Sequence, residues 1–206
     1  MSLTHSSDRS APWENRSHIR RLRRSDRADF AAHLLRLDAE SRRMRFGSAV
    51  GDAVLARYAE GALGDDSVLK GVFMDGTLRG AAELRAIRSP LPEAAFSLEQ
   101  PWQGQGHGAR LFASLVDTAR NSGLRRFTLQ CLSGNVAMQK IARRYQAQLH
   151  FEDGEVTAEL RHPGGDMASL TREAAEERFA QSLAAADRAL YRLATEVGVD
   201  LRLRRV

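Results

Sequence analysis

Apolar and polar positions alternate or repeat along most of the chain with the periods of short strands and amphipathic helices. Residues 1–17 are polar, with Ser, Asp and Arg, and read as a disordered tail. His18 to Leu22 predicts a short strand. Ser25 stands where a helix N-cap belongs, Asp26 and Asp29 suit the positive end of that helix, and Phe30, Leu34, Leu35 and Leu37 supply its buried face. Arg42 to Phe46 and Gly47 close this section, and Val54, Leu55 and Tyr58 suggest a second helix ending near Gly61 or Gly64. Ser67 to Met74 and Thr77 to Ile87 read as an antiparallel pair, because Asp75-Gly76 between them tolerates the positive φ of a two-residue hairpin. Pro90 and Pro92 then interrupt any ladder and return the chain to a strand-like run, Ala94 to Leu98.

Leu111, Phe112, Leu115, Val116 and Ala119 recur at helical spacing within Ala109 to Ser122, and Arg126 to Leu132 alternates as a strand. Ser133-Gly134-Asn135 caps a helix carrying Val136, Met138, Ile141 and Ala142. His150 to Glu152 and Val156 to Leu160 form a last hairpin through Asp153-Gly154. Pro163-Gly164-Gly165 marks a break. Beyond it Leu170, Phe179, Leu183, Ala186, Leu190, Leu193 and Val197 read as one apolar face of a long helix, which packs on its own domain or on a second copy, and Val199, Leu201 and Leu203 suggest an edge strand. The order predicts an α+β fold with a mixed, mainly antiparallel sheet over residues 18–162, then a C-terminal helical extension over 166–206.

Between the strand ending at Leu98 and the helix lies Gln103-Gly104-Gln105-Gly106-His107-Gly108. Three alternating glycines leave backbone N–H groups uncovered where a helix begins. A helix start offers unpaired donors and about half a positive charge, so the stretch is an anion cradle suited to a phosphate or pyrophosphate. Gly104-x-Gly106-x-x-Ala109 also fits the dinucleotide fingerprint, but that fingerprint wants an acidic residue about 20 positions on. Leu129 occupies that neighbourhood, and the next acidic residue after Asp117 is Glu152. A Rossmann site is therefore disfavoured.

Charge and composition narrow the partners. Among 206 residues, 31 basic and 26 acidic side chains give a net charge of +5, but the arginines of residues 16–45 are interleaved with Asp26, Asp29, Asp38 and Glu40. A spread basic surface attracts a polyanionic small molecule as readily as nucleic acid, so no nucleic-acid partner is expected. Lys70 and Lys140 are the only lysines, which genomic base composition explains. No apolar run approaches the roughly 18 to 20 residues of a membrane span, residues 1–18 lack a signal-peptide core, and the one cysteine, Cys131, makes no internal disulfide. These features predict a cytoplasmic protein.

Gln103-x-x-Gly106-x-Gly108 resembles the Arg/Gln-x-x-Gly-x-Gly/Ala loop of the GNAT N-acetyltransferases. More closely, Ile19 to Arg161 is similar to the catalytic domain of the Pat-type bacterial protein lysine acetyltransferases. The resemblance rests on His18-Ile19-Arg20-Arg21-Leu22, Met44-Arg45-Phe46, Glu93-Ala94-Ala95-Phe96-Ser97-Leu98, Trp102 to Gly108 and Ser133-Gly134-Asn135-Val136-x-Met138. It implies a GNAT-like fold and acetyl-CoA as co-substrate, held by Leu98, Gln103, Gly104, Gln105, Gly106, His107, Gly108, Ala109, Asn135 and Met138. It implies transfer of the acetyl group directly to a primary amine, a protein lysine or else a small-molecule amine.

In that reading Glu93 is the general base, because an attacking amine must lose a proton. Glu83 and Glu99 are its rivals, Glu99 by adjoining the loop and Glu83 by lying in the neighbouring strand. A backbone N–H near Leu98 supplies the oxyanion donor. Asn135 contacts the cofactor or caps its helix. The tyrosine that many GNAT enzymes use as general acid is Ala142 here, with Tyr145 nearly one turn on as a substitute or a core residue. The usual Gly-Phe after this helix is Gln146-Ala147. These departures leave a non-catalytic domain as a further alternative, an acyl-CoA sensor or a binder of nucleic acid through its arginines, and the C-terminal helix could support a homodimer. Cys131 has no neighbouring His in the sequence to activate it as an acyl carrier.

Overall fold

The structure is a computed structural model that describes residues 17–196; the remainder of the expected tail, Val197 and the expected edge strand at residues 199–203 lie outside the described residues. In chain order the elements are β1 (Ser17–Arg21), α1 (Arg27–Arg36), α2 (Ala39–Phe46), α3 (Asp52–Ala62), β2 (Ser67–Met74), β3 (Thr77–Arg85), β4 (Glu93–Leu98), α4 (His107–Asn121), β5 (Arg126–Leu132), α5 (Val136–Arg144), β6 (Gln148–Glu152), β7 (Glu155–Arg161) and α6 (Met167–Glu196). The strands form one sheet in the order β1-β2-β3-β4-β5-β7-β6. Every neighbouring pair is antiparallel except β4 and β5. Both expected two-residue hairpins form, with Asp75 and Gly76 at φ 49° and 77° and Asp153 and Gly154 at φ 47° and 83°.

Strand periodicity sends alternate side chains to two cores. Val72, Ala82, Leu84, Leu111, Phe112 and Leu115 belong to the core beneath α4 and α5, and Leu69, Phe73, Leu78 and Ala81 pack with Phe30, Leu34 and Leu55 of α1 and α3 on the other face. Leu35 and Val54, expected inside or near the buried faces, point outward.

Several local expectations change for identifiable reasons. The first strand begins at Ser17, one residue inside the expected tail. Ser25 caps nothing: the Asp26 carboxylate takes the Arg23 N–H at 2.7 Å and the Arg20 guanidinium at 2.8 Å, and α1 starts at Arg27. Arg42 to Phe46 is the last five residues of an eight-residue helix, α2, that is polar nearly all round. Asp38 caps it by accepting from Ser41 N at 2.9 Å, and Gly47 ends it at φ 76°. The third strand ends at Arg85 because Ala86 turns to φ 51°.

The largest change concerns α6, which docks on its own domain through a charged face. Lys70 of β2 is buried, with Nζ 3.3 Å from Glu176 and 3.4 Å from Glu173. Ser114 donates to Glu176 at 2.6 Å, Asn121 to Glu173 at 2.7 Å, and Arg172 grips Asp117 at 2.7 and 2.8 Å. Leu170 and Phe179 of the expected apolar face are instead 50% and 53% exposed, while Ser169 and Ala180 are buried.

Lys70→Met, close in volume, should cost about 2 kcal/mol in denaturant unfolding, the scale of a lost charge-assisted hydrogen bond. Burial pushes the Glu173 carboxyl up, but Asn121, Thr118 and Lys70 together hold it below its ordinary 4.5. A carboxyl with a depressed folded pKa stabilises fully above its unfolded value and ceases to do so as pH falls through the folded one. Deuterium uptake in α6 should therefore rise on acidification below pH 4.5 before the sheet itself opens.

Candidate active site

The centre of the sheet is open. The parallel pair β4 and β5 is in register only at Glu93↔Thr128 and Ala94↔Leu129, after which the strands separate. Glu99 donates its N–H to Arg79 O at 2.9 Å, so by two-residue alternation the amides of Ser97 and Ala95 also turn towards β3. The amides of Phe96 and Leu98 then face the gap. The Leu98 carbonyl is taken by Gln103 Nε2 at 2.9 Å, and the same amide nitrogen donates to Ser41 at 3.1 Å.

Below the gap on the α4 side sits the glycine loop. Gly104 and Gly106 adopt φ 74° and 87°, and a Cβ on either would meet nothing within 4 Å, so glycine is needed there for backbone conformation and the approach stays open. Gln105 closes back on Pro101 O at 2.8 Å. The helix starts at His107, two residues before the expected Ala109, and its first bond is Arg110 N to Gly106 O at 3.1 Å. The amides of His107, Gly108 and Ala109 precede that bond and make up the cradle. His107 is buried beside Trp102, with ring centroids 6.3 Å apart; burial and then Arg110 hold its imidazole below the usual histidine value. Its Nδ1 is buried without a partner.

On the opposite face a cleft of about 240 Å³ opens to the gap, with walls that include Phe46, Arg85, Glu93, Cys131, Leu132 and Glu155. Glu93 lines it with a side chain 40% exposed, accepting from Arg85 at 2.9 Å. Its rivals are committed elsewhere. Glu83 is buried between the Arg45 guanidinium at 2.5 Å and the Tyr58 hydroxyl at 2.6 Å. Glu99 accepts from His33 at 3.1 Å, Arg36 at 2.9 Å and Arg79 at 3.0 Å. Cys131 reaches the cleft, but burial pushes its thiol up, which favours the unreactive protonated form.

The remaining candidates lie on the α5 side. Asn135 caps α5 by accepting from Met138 N at 3.1 Å, and Met138 packs against the core. Phe96 stacks on Phe112 at 5.1 Å and Phe112 contacts Tyr145 at 4.8 Å. Tyr145 therefore flanks the gap from the face opposite Glu93 and is not part of the Glu93 cleft. Burial, and then Asp117, push its hydroxyl up. Gln146 takes φ 57°, so the left-handed turn that the resemblance associates with glycine is kept at a strain of about 1 kcal/mol.

Arg45, Arg85 and Glu155 of the cleft lining escaped the sequence reading as site residues. Only the β3–β4 register, which faces Arg85 with Glu93, could have paired the first two charges of the cleft. Glu83→Gln should destabilise the fold by about 3 kcal/mol, since it leaves the Arg45 cation buried without its counter-charge. Glu93→Gln should stay within about 0.5 kcal/mol of the parent in the same denaturant titration, as surface substitutions do.

Comparison with known proteins agrees with this architecture. The acetyltransferase (GNAT) domain family matches residues 16–148. The acetyltransferase Pat of Mycolicibacterium smegmatis is 33% identical over 97 residues, which are 45% of this chain and 29% of that protein. The chain thus matches well under half of this relative's length. The GNAT domain of S. lividans PAT superposes with a TM-score of 0.60 at 22% identity, covering 70% of this chain and 89% of that one. The PaiA N-acetyltransferase of Thermoplasma acidophilum, solved in complex with coenzyme A, superposes with a TM-score of 0.54 at 15% identity, covering 71% and 99%. With the family match spanning most of the chain and the sheet open at β4 and β5, the protein belongs to the acetyltransferase (GNAT) domain family.

Proposed function

We propose that the protein uses acetyl-CoA to acetylate a primary amine by direct transfer in a ternary complex. The observation that carries this reading is the gap between β4 and β5, reached by an anion cradle from one face and by the Glu93 cleft from the other. The pyrophosphate of the co-substrate sits on the amides of residues 106–109, and its amide-bearing arm pairs with the free edge of β4 as an added strand would. That path brings the thioester to Leu98, whose outward N–H meets the oxygen that gains charge in the tetrahedral intermediate.

The acceptor enters from the Glu93 side. Glu93 takes the proton of the ammonium directly or through one water, the neutral nitrogen attacks the thioester carbon, and collapse of the intermediate breaks the C–S bond. Tyr145, held protonated by burial on the side from which the thiolate departs, is the donor that can return a proton to sulfur. Phe46 and Leu132 give the cleft apolar walls; Glu83 and Glu93 meet the charges of Arg45 and Arg85 there, and Glu155 adds a carboxylate that attracts a cation. That combination suits an unbranched amine such as a lysine side chain. A small polyamine fits the same chemistry, and an acceptor screen of lysine peptides against free polyamines separates the two.

Glu93→Gln should lower kcat by about a hundredfold, the scale of general-base loss, while calorimetric titration shows unchanged acetyl-CoA affinity. Unaltered turnover in this variant removes Glu93 from the mechanism. Gly106→Val should instead weaken acetyl-CoA binding by about tenfold or more, because a β-branched residue resists φ near 87°.

A further inference from the structure

Opening the sheet at Ala94 leaves the last part of β4 with a ladder on one side only. The chain there is nonetheless anchored from below, by side chains of Ser97 and Glu99 that share one face of the strand. Both meet His33 of α1: Nε2 is 2.9 Å from Ser97 Oγ and Nδ1 is 3.1 Å from Glu99 Oε1. The imidazole is fully buried, and Ser97 and Glu99 are 7% and 5% exposed. Burial holds His33 neutral, below the usual histidine value. A carboxylate only accepts, so Nδ1 carries the proton and Nε2 accepts from the Ser97 hydroxyl.

The order Ser, His, Glu is that of a hydrolytic triad, but the surroundings give it another task. Burial allows neither substrate nor water to Ser97, and Glu99 is further fixed by Arg36 and Arg79. Arg79 is the extra residue of a bulge, since Val72 pairs with Gly80 and Phe73 with Leu78. The bulge stands opposite Glu99. Leu98 lies between the two residues that His33 ties down.

Resting on the acetyl-transfer reading above, we propose that His33 is a positioning residue: by bridging Ser97 and Glu99 it holds the Leu98 amide at the edge of the gap, where the oxyanion forms. The cradle amides belong to a different segment, so the clamp bears on the chemical step and on the arm along β4, and leaves the pyrophosphate to the loop.

The test compares His33→Leu, His33→Asn and His33→Gln with the parent, using hydrogen exchange of residues 95–99, acetyl-CoA calorimetry and steady-state kinetics with the acceptor found by the screen. His33→Leu should exchange at least tenfold faster in that segment with other strands unchanged, lose about tenfold or more in kcat, and lose less in acetyl-CoA affinity than in kcat. His33→Asn keeps a donor for Glu99 and His33→Gln a partner for Ser97, so each should recover part of kcat. A folded His33→Leu with parental exchange in 95–99, or with parental kcat, overturns the proposal. So does a uniform loss of stability, affinity and kcat that neither polar variant relieves. If the parent transfers acetyl to no amine, the acetyl-transfer reading fails on its own, and the clamp is then decided by exchange: acceleration confined to 95–99 supports it and its absence refutes it.

Discussion

Every buried backbone donor and acceptor needs a partner, and a sheet that opens in its middle breaks that requirement on purpose. Beyond Ala94 the facing edges of β4 and β5 have no ladder between them. Much of the surrounding structure compensates for this. Gln103 caps the Leu98 carbonyl, Pro92 O takes the Thr128 amide at 2.9 Å just before the strands diverge, and the β3–β4 ladder runs uninterrupted along the other side. Gly80 lets the two strands come close enough, since a Cβ there would stand 2.6 Å from Leu98 and 3.0 Å from the Ser97 carbonyl oxygen. The open edges are what an amide-bearing ligand can satisfy.

Charge supports the same arrangement from the α1–α3 side. Arg45 with Glu83, and Glu99 with Arg36 and Arg79, are ion pairs inside or at the rim of the fold, where losing one partner costs far more than an exposed pair contributes. Their value lies in direction. A guanidinium fork fixes the carboxylate it holds; Glu83 lies on β3, one strand from the gap, and Glu99 directly follows β4 at its edge. Glu93, by contrast, accepts a single contact from Arg85 and stays open to the cleft.

What could be read from the sequence follows the same physics. The turn before α4 was legible because Gly104 and Gly106 suit left-handed backbone, and both Asp-Gly hairpins because their turns demand positive φ. Glu93 was singled out by resemblance alone; spacing gave Glu83 and Glu99 equal standing until the structure showed both consumed by arginines. Helix α2 escaped because it buries no residue fully and so carries no periodic apolar signal. The docking face of α6 escaped for the opposite reason: a convincing apolar stripe was present, but Lys70 attracts the face bearing Glu173 and Glu176. No pattern of apolar spacing announces a buried lysine on a strand 103 residues before its partner, as Lys70 and Glu173 are in this chain.

That lysine also explains why α6 can leave Phe179 exposed. Lys70 projects from the β2 face that α4 covers, and an ammonium there without counter-charge would be untenable. Two glutamates one turn apart on α6 supply the charge, while Ser114, Thr118 and Asn121 of α4 orient the carboxylates. The helix is thereby fixed in rotation by polar contacts, and its apolar residues fall where the rotation leaves them. Phe179 is turned to the rim, within 6.4 Å of the His18 ring that stacks on Phe73. The extension is thus built into the sheet through β2, two strands from the open edge of β4, so that its docking and the shape of the gap share one rigid ladder.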